Sequence, residues 1–357
     1  MEWKRLFNMG KKKNDFSGPF LITGCYRSGT SYITQLLNNH PKLSATMHTV
    51  SFMRFCYLRY GQIDNLENLA NLLNELCGRL KARWNIVLNK EVITKKCCEE
   101  KITYARLYDI IMRELYCKGS IVQWAEKIQL VWTKIPDFLN MFPNGKAIHI
   151  IRDPRSVLAS FKKYTYVPEP AYIGAVFNCL GSMQAALKYK KMFPNNHILI
   201  RYEDVASAPE LQMRKIFDLI GYPAEQNINI IDSSDWQGIK GEKWRDNTAF
   251  AVSNDGFNIE DSINRWKKHL TNEEISICEW ICGPTMKQFG YKLSGIKASL
   301  FECGEVLKAM IKDAMISEMF ENWVITGEGI ERFPTDPLEP SNWEENAIPS
   351  KEHLRKI

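Results

Sequence analysis

Eight residues, Gly24-Cys25-Tyr26-Arg27-Ser28-Gly29-Thr30-Ser31, limit what this chain can fold into more than any other stretch. They follow an apolar run, Pro19-Phe20-Leu21-Ile22-Thr23, and precede a helical pattern, Tyr32-Ile33-Thr34-Gln35-Leu36-Leu37. Strand, glycine loop and helix together aim backbone N–H groups and a helix N-terminus at a phosphate. The loop nearly matches the nucleotide-binding pattern G-x-x-x-x-G-K-[ST], but Thr30 stands where the lysine belongs, and Arg27 supplies the positive charge from inside the loop.

Two more apolar runs behave alike. Ala147-Ile148-His149-Ile150-Ile151 ends in Arg152, after which Asp153-Pro154 opens a helix with Asp153 as N-cap. His197-Ile198-Leu199-Ile200 ends in Arg201-Tyr202-Glu203-Asp204. Helical patterns occupy the intervals and continue near Glu210–Ile220 and Asp261–Gln288. Strands alternating with helices predict an α/β chain with a parallel sheet. In such sheets ligands gather beyond the carboxyl ends of the strands, where Arg27, Arg152 and Tyr202 all fall.

Between residues 50 and 120, apolar residues recur three and four apart. Leu66, Leu69, Leu72, Leu73, Leu76 and Leu80 form one stripe, and Tyr104, Leu107, Ile111 and Leu115 another; both read as packing faces. Val306, Leu307, Met310, Ile311, Met315 and Met319 suggest an amphipathic helix, and from Thr326 the chain reads as an extended acid-rich tail. The expected organisation is a flexible leader over 1–18, a main domain over 19–295 with a helical insert at 50–125, and a helical extension with a tail over 296–357.

A net charge of +6 suits an anionic ligand without being a nucleic-acid signature. The basic cluster near the start (Lys4, Arg5, Lys11, Lys12, Lys13) reads as a solvated tail. No apolar run reaches the roughly 18 residues of a membrane span, and residues 1–18 lack a signal-peptide core. The ten cysteines form no C-x-x-C pair, which favours reduced thiols over metal binding or a disulfide framework. The expectation is a cytoplasmic protein; a homodimer is compatible with the sequence.

In NTP-hydrolysing loops the lysine reaches the β/γ-phosphates and the next hydroxyl holds Mg²⁺. Thr30 cannot replace that lysine, and the later strands end in Arg152 and Arg201 rather than in an aspartate. The loop therefore suits a phosphate whose transferred group needs no metal clamp, and arginine recognises such an oxyanion through a planar fork of donors.

With these residues in view, the chain resembles sulfotransferases that use 3′-phosphoadenylyl sulfate (PAPS). Arg27-Ser28-Gly29-Thr30-Ser31 resembles the family's 5′-phosphosulfate loop. Arg152-Asp153-Pro154-Arg155-Ser156-Val157-Leu158-Ala159-Ser160 resembles its 3′-phosphate site, where an arginine at the strand end and a serine eight residues on hold the phosphate. Ile200-Arg201-Tyr202-Glu203-Asp204 resembles the strand-end segment whose tyrosine lies beside the nucleotide. Arg265-Trp266 and Phe289-Gly290-Tyr291 resemble the C-terminal pattern. The resemblance runs from about Phe20 to Tyr291. It implies a three-layer parallel sheet of P-loop NTPase-like topology, PAPS as co-substrate, no required metal, and transfer of a sulfuryl group to a hydroxyl of a carbohydrate, phenol, peptide or lipid.

The resemblance implies Arg27, Ser28, Gly29, Thr30, Ser31, Arg152, Ser160 and Tyr202 as nucleotide contacts. Arg245, Ser253 and Arg265 fall where a nucleotide-covering loop belongs. Each piece has a plainer reading: Arg152 as a surface ion pair, Arg201 as a structural partner of a carboxylate, Tyr202 as core. Tyrosyl-protein sulfotransferases and their relatives place a glutamate base after the first helix, following a His-Pro. Here His40-Pro41 is present, but His48 stands at the base position, and no carboxylate lies between Gly29 and Asp64. His48 is therefore the candidate general base, with Glu126 kept as the alternative. Lys127, in a Trp124-Ala125-Glu126-Lys127 segment resembling the family's E-K-[TD]-P, is the candidate cation for the leaving oxygen, with Arg27 assisting and Lys134 as local competitor. Two other readings stay open: a P-loop kinase or NTPase, and a nucleotide-binding module without catalysis.

Overall fold

In a computed structural model of the chain, residues 18–47, 50–164, 171–223 and 259–332 are described. Five strands, all parallel, build one sheet: β1 (Phe20–Gly24), β2 (Leu43–Met47), β3 (Gln123–Lys127), β4 (Lys146–Ile151) and β5 (His197–Arg201), in the spatial order β2-β3-β1-β4-β5. Every residue of β1 is buried, as expected of a central strand covered on both faces. The pairings Gly24↔Ile150, Ile22↔Lys127, Met47↔Lys127 and Ile151↔Arg201 bring the carboxyl ends of all five strands to one edge. β1 has β3 on one side and β4 on the other, so the loop leaving it opens at a point where the chain's winding reverses.

The helices are α1 (Thr30–Asn38), α2 (Phe52–Phe55), α3 (Leu66–Trp84), α4 (Lys90–Cys98), α5 (Tyr104–Tyr116), α6 (Ile135–Met141), α7 (Pro154–Tyr164), α8 (Ala175–Met192), α9 (Tyr202–Ser207), α10 (Pro209–Leu219), α11 (Ile259–Asn264), α12 (Trp266–His269), α13 (Asn272–Gln288), α14 (Gly304–Lys312) and α15 (Ala314–Thr326). Period-2 alternation along the strands separates two cores. Ile22, Ala125, Ile148 and Ile150 join Ile33, Leu37, Met213 and Phe217 of α1 and α10 on one face. Leu21, Trp124 and Ala147 join Leu72, Tyr108, Ile111 and Phe138 of the insert and α6 on the other. A third cluster joins α7, α8 and α13 to the extension through Val157, Phe177, Cys278, Met310 and Met319. The three-layer parallel α/β architecture of P-loop type is thus present.

Several expectations need correction. β2 and β3 carry no strand signal in the sequence, because Leu43–Met47 and Gln123–Lys127 mix polar residues into short runs that periodicity does not single out. The single helical pattern over Asp261–Gln288 is three helices, because Thr271 and Glu274 form a reciprocal capping box that starts α13 afresh. The helix expected over Val306–Met319 breaks at Asp313, whose carboxylate accepts from the Ile316 N–H at 3.0 Å and caps α15. Leu66 of the first stripe is exposed at the start of α3, whereas Leu69, Leu72, Leu73, Leu76 and Leu80 are buried.

Candidate active site

The loop after β1 is held open by backbone conformations that side chains rarely adopt. Arg27 has φ 64° and Gly29 φ 90°. A Cβ at Gly29 would stand 2.1 Å from Cδ2 of Tyr202, so the ring of Tyr202 covers the loop only because residue 29 has no side chain. Ser28 is buried and its Oγ donates to the Cys25 carbonyl at 2.6 Å, closing the turn from within. Thr30 opens α1; its Oγ1 accepts from Nε2 of Gln129 at 3.0 Å.

The two arginine motifs, 125 residues apart in sequence, meet here. Arg152 leaves β4 and its Nη1 donates to the carbonyl of Arg27 at 2.7 Å, while Nη2 donates to the carbonyl of Ser262. Its guanidinium lies 4.3 Å from the centroid of the Tyr202 ring. Its Nε is buried and finds no partner among the described residues, an orphaned donor of the kind an anion satisfies. Ser160, one turn from the end of α7, accepts from Nε of Arg27 at 3.0 Å. The Tyr202 hydroxyl donates to Oγ of Ser262 at 2.9 Å.

Beneath this lattice, the strand-end motifs are latched to one another. Glu203 accepts from the Asp153 N–H at 2.9 Å and from the Tyr291 hydroxyl at 2.8 Å, and Arg201 lies 4.6 Å over the Tyr291 ring. The carboxylate of Asp153 accepts from the Arg155 N–H at 2.9 Å, as expected of an N-cap, and pairs with the Arg155 guanidinium at 2.6 Å. Arg201, Glu203, Arg155 and Tyr291 therefore hold the edge in shape, and Arg201 takes the structural role that the sequence left open for it.

Lys127 ends β3 on the α1 face of the sheet. It is 2% exposed, and its Nζ donates to Oγ of Ser31 at 3.0 Å. Burial, reinforced by the charge of Arg27, holds its ammonium down at about 7. A buried ammonium with one neutral partner among the described residues, beside a second cation, is an arrangement suited to an anion. Lys134, the competitor, instead lies in the short helical turn after β3 and pairs with Asp137 at 3.8 Å.

Glu126 points to the opposite face of the same strand. Its carboxylate accepts from the N–H groups of Ser51 at 2.5 Å and Phe52 at 3.3 Å and from the Tyr108 hydroxyl at 2.5 Å. Burial pushes its carboxyl up, opposed by those three hydrogen bonds. It ties the insert to the sheet and stands apart from Lys127 and the loop, which corrects its candidacy as a base. Phe52 and Phe55 of α2 are likewise core: Phe52 stacks on Tyr108 at 4.2 Å and Phe55 lies under Arg79.

His48, Arg245 and Ser253 lie outside the described residues. Arg265 precedes α12, is buried, and lies 3.8 Å from Asp261; the contact to Arg152 and Tyr202 from this segment is made by Ser262. Ser262 and Gln129 are the site residues that sequence reasoning missed. Gln129 had a signal, since it stands two residues after Lys127, and the alternation of a strand continued that far would put it on the same side. Ser262 had none.

Known proteins share stretches of this sequence. Carbohydrate sulfotransferase 3 of Mus musculus is 27% identical over 174 residues, covering 43% of this chain and 35% of that protein. The Homo sapiens protein of the same name is 25% identical over 175 residues with the same coverage. The matched region thus spans about a third of the length of these curated relatives. Among solved structures, the sulfotransferase domain from the Synechococcus PCC 7002 olefin synthase aligns with a TM-score of 0.48 at 17% identity, over 80% of this chain and all of that one. A family profile described as "Sulfotransferase family" matches residues 19–226, more than half of the chain; the chain belongs to the sulfotransferase family.

Proposed function

We propose that the protein transfers the sulfuryl group of PAPS to a hydroxyl acceptor and releases adenosine 3′,5′-bisphosphate. The observation that carries this reading is the convergence of Arg27, Arg152 and Ser160 around one loop, with no partner for Nε of Arg152 among the described residues. The residues present suit the donor: Arg27 with the N-terminus of α1 faces the 5′-phosphosulfate, Arg152 and Ser160 hold the 3′-phosphate, and Tyr202 borders the nucleotide. The same requirement for anion recognition explains why Arg27 takes the place of the loop lysine.

The chemistry resembles phosphoryl transfer, with in-line attack and charge growing on the leaving oxygen. The acceptor oxygen forms a bond to sulfur as the bond from sulfur to the bridging oxygen breaks, and that electron pair stays on the 5′-phosphate. Lys127 is the cation assigned to that oxygen, and a bound anion raises the protonated fraction of its amine. His48 is the proposed base for the hydroxyl proton. It follows Met47 in sequence, and Met47 is paired with Lys127 across the β2–β3 ladder.

Carbohydrate hydroxyls are the first acceptors to test, because the curated relatives matched are named carbohydrate sulfotransferases. Cytoplasmic residence is part of the proposal, supported by ten free cysteines, with the sulfurs of Cys25 and Cys179 3.8 Å apart. No helix among the described residues is long and apolar enough to cross a membrane. The deciding experiment is transfer of labelled sulfate from PAPS to a panel of glycans, phenols, peptides and lipids, with and without EDTA. Transfer that survives EDTA is expected. Absence of transfer to every acceptor, despite binding of adenosine 3′,5′-bisphosphate, leaves a binding module instead.

A further inference from the structure

Past α15 the chain stays against the molecule as far as Arg332. Residues 327–332 lie as a strap across α8. The N–H of Gly329 donates to Oε1 of Gln184 at 2.9 Å, that of Ile330 to the Phe177 carbonyl at 3.1 Å, and that of Arg332 to Oδ1 of Asn178 at 2.8 Å. The fit is close: a Cβ at Gly329 would stand 2.0 Å from the backbone nitrogen of Gly181. So seated, the strap delivers Glu331 to the turn that follows β3. One carboxylate oxygen accepts from the Thr133 N–H at 2.8 Å and the other from the Thr133 hydroxyl at 2.6 Å.

That turn also carries the site. Arg54 of α2 donates to the carbonyls of Gln129 at 2.5 Å and Leu130 at 3.0 Å. Leu130, at φ 52°, donates to the Gly24 carbonyl at 3.1 Å, and Gln129 holds Oγ1 of Thr30. The charges of Arg54 and Lys134 both favour the Glu331 carboxylate, against a burial that pushes its carboxyl up. Insert, strand end and extension therefore meet at residues 129–133, two positions beyond Lys127. Each end of that segment has its own anchor, and Glu331 is the anchor at the far end.

We infer that Glu331 is a positioning residue of the transferase: through Thr133 and Arg54 it holds the strand-end turn that sets Lys127 and Gln129 against the glycine loop. The inference rests on the proposed transfer reaction, and it makes the extension beyond the matched family region a working part of the site. A strap with a merely stabilising role lowers the melting temperature without selecting one turn or one kinetic constant.

The test uses the full chain with Glu331→Ala, Glu331→Gln and Gly329→Val, the last unseating the strap without touching the carboxylate. Amide hydrogen exchange is expected to quicken about 10-fold at Leu130 and Thr133 in Glu331→Ala and Gly329→Val, with β4 and α1 unchanged. Glu331→Gln, whose amide oxygen still accepts from Thr133, should fall between. In transfer assays kcat should drop about 10-fold while affinity for adenosine 3′,5′-bisphosphate stays within 2-fold. Unchanged exchange in both Glu331→Ala and Gly329→Val overturns the inference, as does faster exchange with an unchanged kcat. A wild-type chain that transfers no sulfate defeats the transferase reading, and the exchange arm then still decides whether Glu331 holds the turn.

Discussion

Nε of Arg27 lies 3.0 Å from Oγ of Ser160, a contact spanning 133 residues of sequence. It joins the glycine loop after β1 to the helix after β4, so the two segments proposed to hold the donor's phosphates share one hydrogen-bonded frame. The carbonyl of Arg27 is in turn held by Arg152, which means that each arginine helps to place the other. Charge-assisted hydrogen bonds of this kind are worth about 1.5–3 kcal/mol each. Arg27→Ala and Arg152→Ala should therefore each weaken calorimetric binding of adenosine 3′,5′-bisphosphate at least ~10-fold. Ser160→Ala removes a neutral partner and should weaken binding about 5- to 10-fold. Wild-type affinity in either arginine variant would mean that the nucleotide sits elsewhere.

Gly29→Ala should be severe for two separate reasons. The position has φ 90°, and the new methyl would stand 2.1 Å from the Tyr202 ring. The strain and the displaced ring together should cost about 2–4 kcal/mol of stability, and nucleotide binding should fall with it. Urea denaturation reads the first and calorimetry the second. Tyr202→Ala in the Gly29→Ala background makes room for the methyl and should recover part of the stability. No recovery would show that the backbone, rather than the ring contact, sets the cost.

The glycine loop, Arg152 and Tyr202 could be read in advance because each follows an apolar run and so falls at a strand end, and strand ends of a parallel sheet converge. The order β2-β3-β1-β4-β5 could not be read, since nothing local in Leu43–Met47 or Gln123–Lys127 says that they pair with each other rather than with β1 alone. Lys127 is a candidate by motif, but its burial depends on where β3 inserts. Glu126 shows the converse limit. Adjacent in sequence to Lys127, it looked equally able to act at the site, and the period of two along a strand sends it to the other face. Glu331 had no signal at all, because its partner Thr133 lies 198 residues away.

Glu126 should behave as a structural carboxylate. Glu126→Ala strands the buried N–H groups of Ser51 and Phe52 and the hydroxyl of Tyr108, and should cost about 2–4 kcal/mol. Glu126→Gln keeps one acceptor oxygen and should cost less, with turnover per folded molecule within about 3-fold of wild type. A 10²-fold loss of turnover in a stably folded Glu126→Gln protein would restore Glu126 as the base.

Lys127 should set the pH dependence of donor binding. Its amine is held down at about 7 by burial and by Arg27, so the free protein carries a partly neutral lysine at pH 7.5. An anionic nucleotide beside it favours the ammonium, and binding should then take up a proton. Affinity should fall as pH rises above about 7, and calorimetry in buffers of different ionisation enthalpy should report net uptake at pH 7.5. The uptake should vanish in Lys127→Met. The sign for folding follows from the same depression. Between the folded value near 7 and the ordinary lysine value, the unfolded chain binds the extra proton, so this group makes stability rise with pH across that window. Below about 7 its cost is fully present. Lys127→Met removes a buried charge and should raise Tm by a few °C at pH 7, a gain that shrinks as pH approaches 10. The same variant should lose about 10²-fold or more in turnover, trading activity for stability. A Lys127→Met protein that is no more stable than wild type at pH 7, and still takes up a proton on binding nucleotide, would place the titrating group elsewhere.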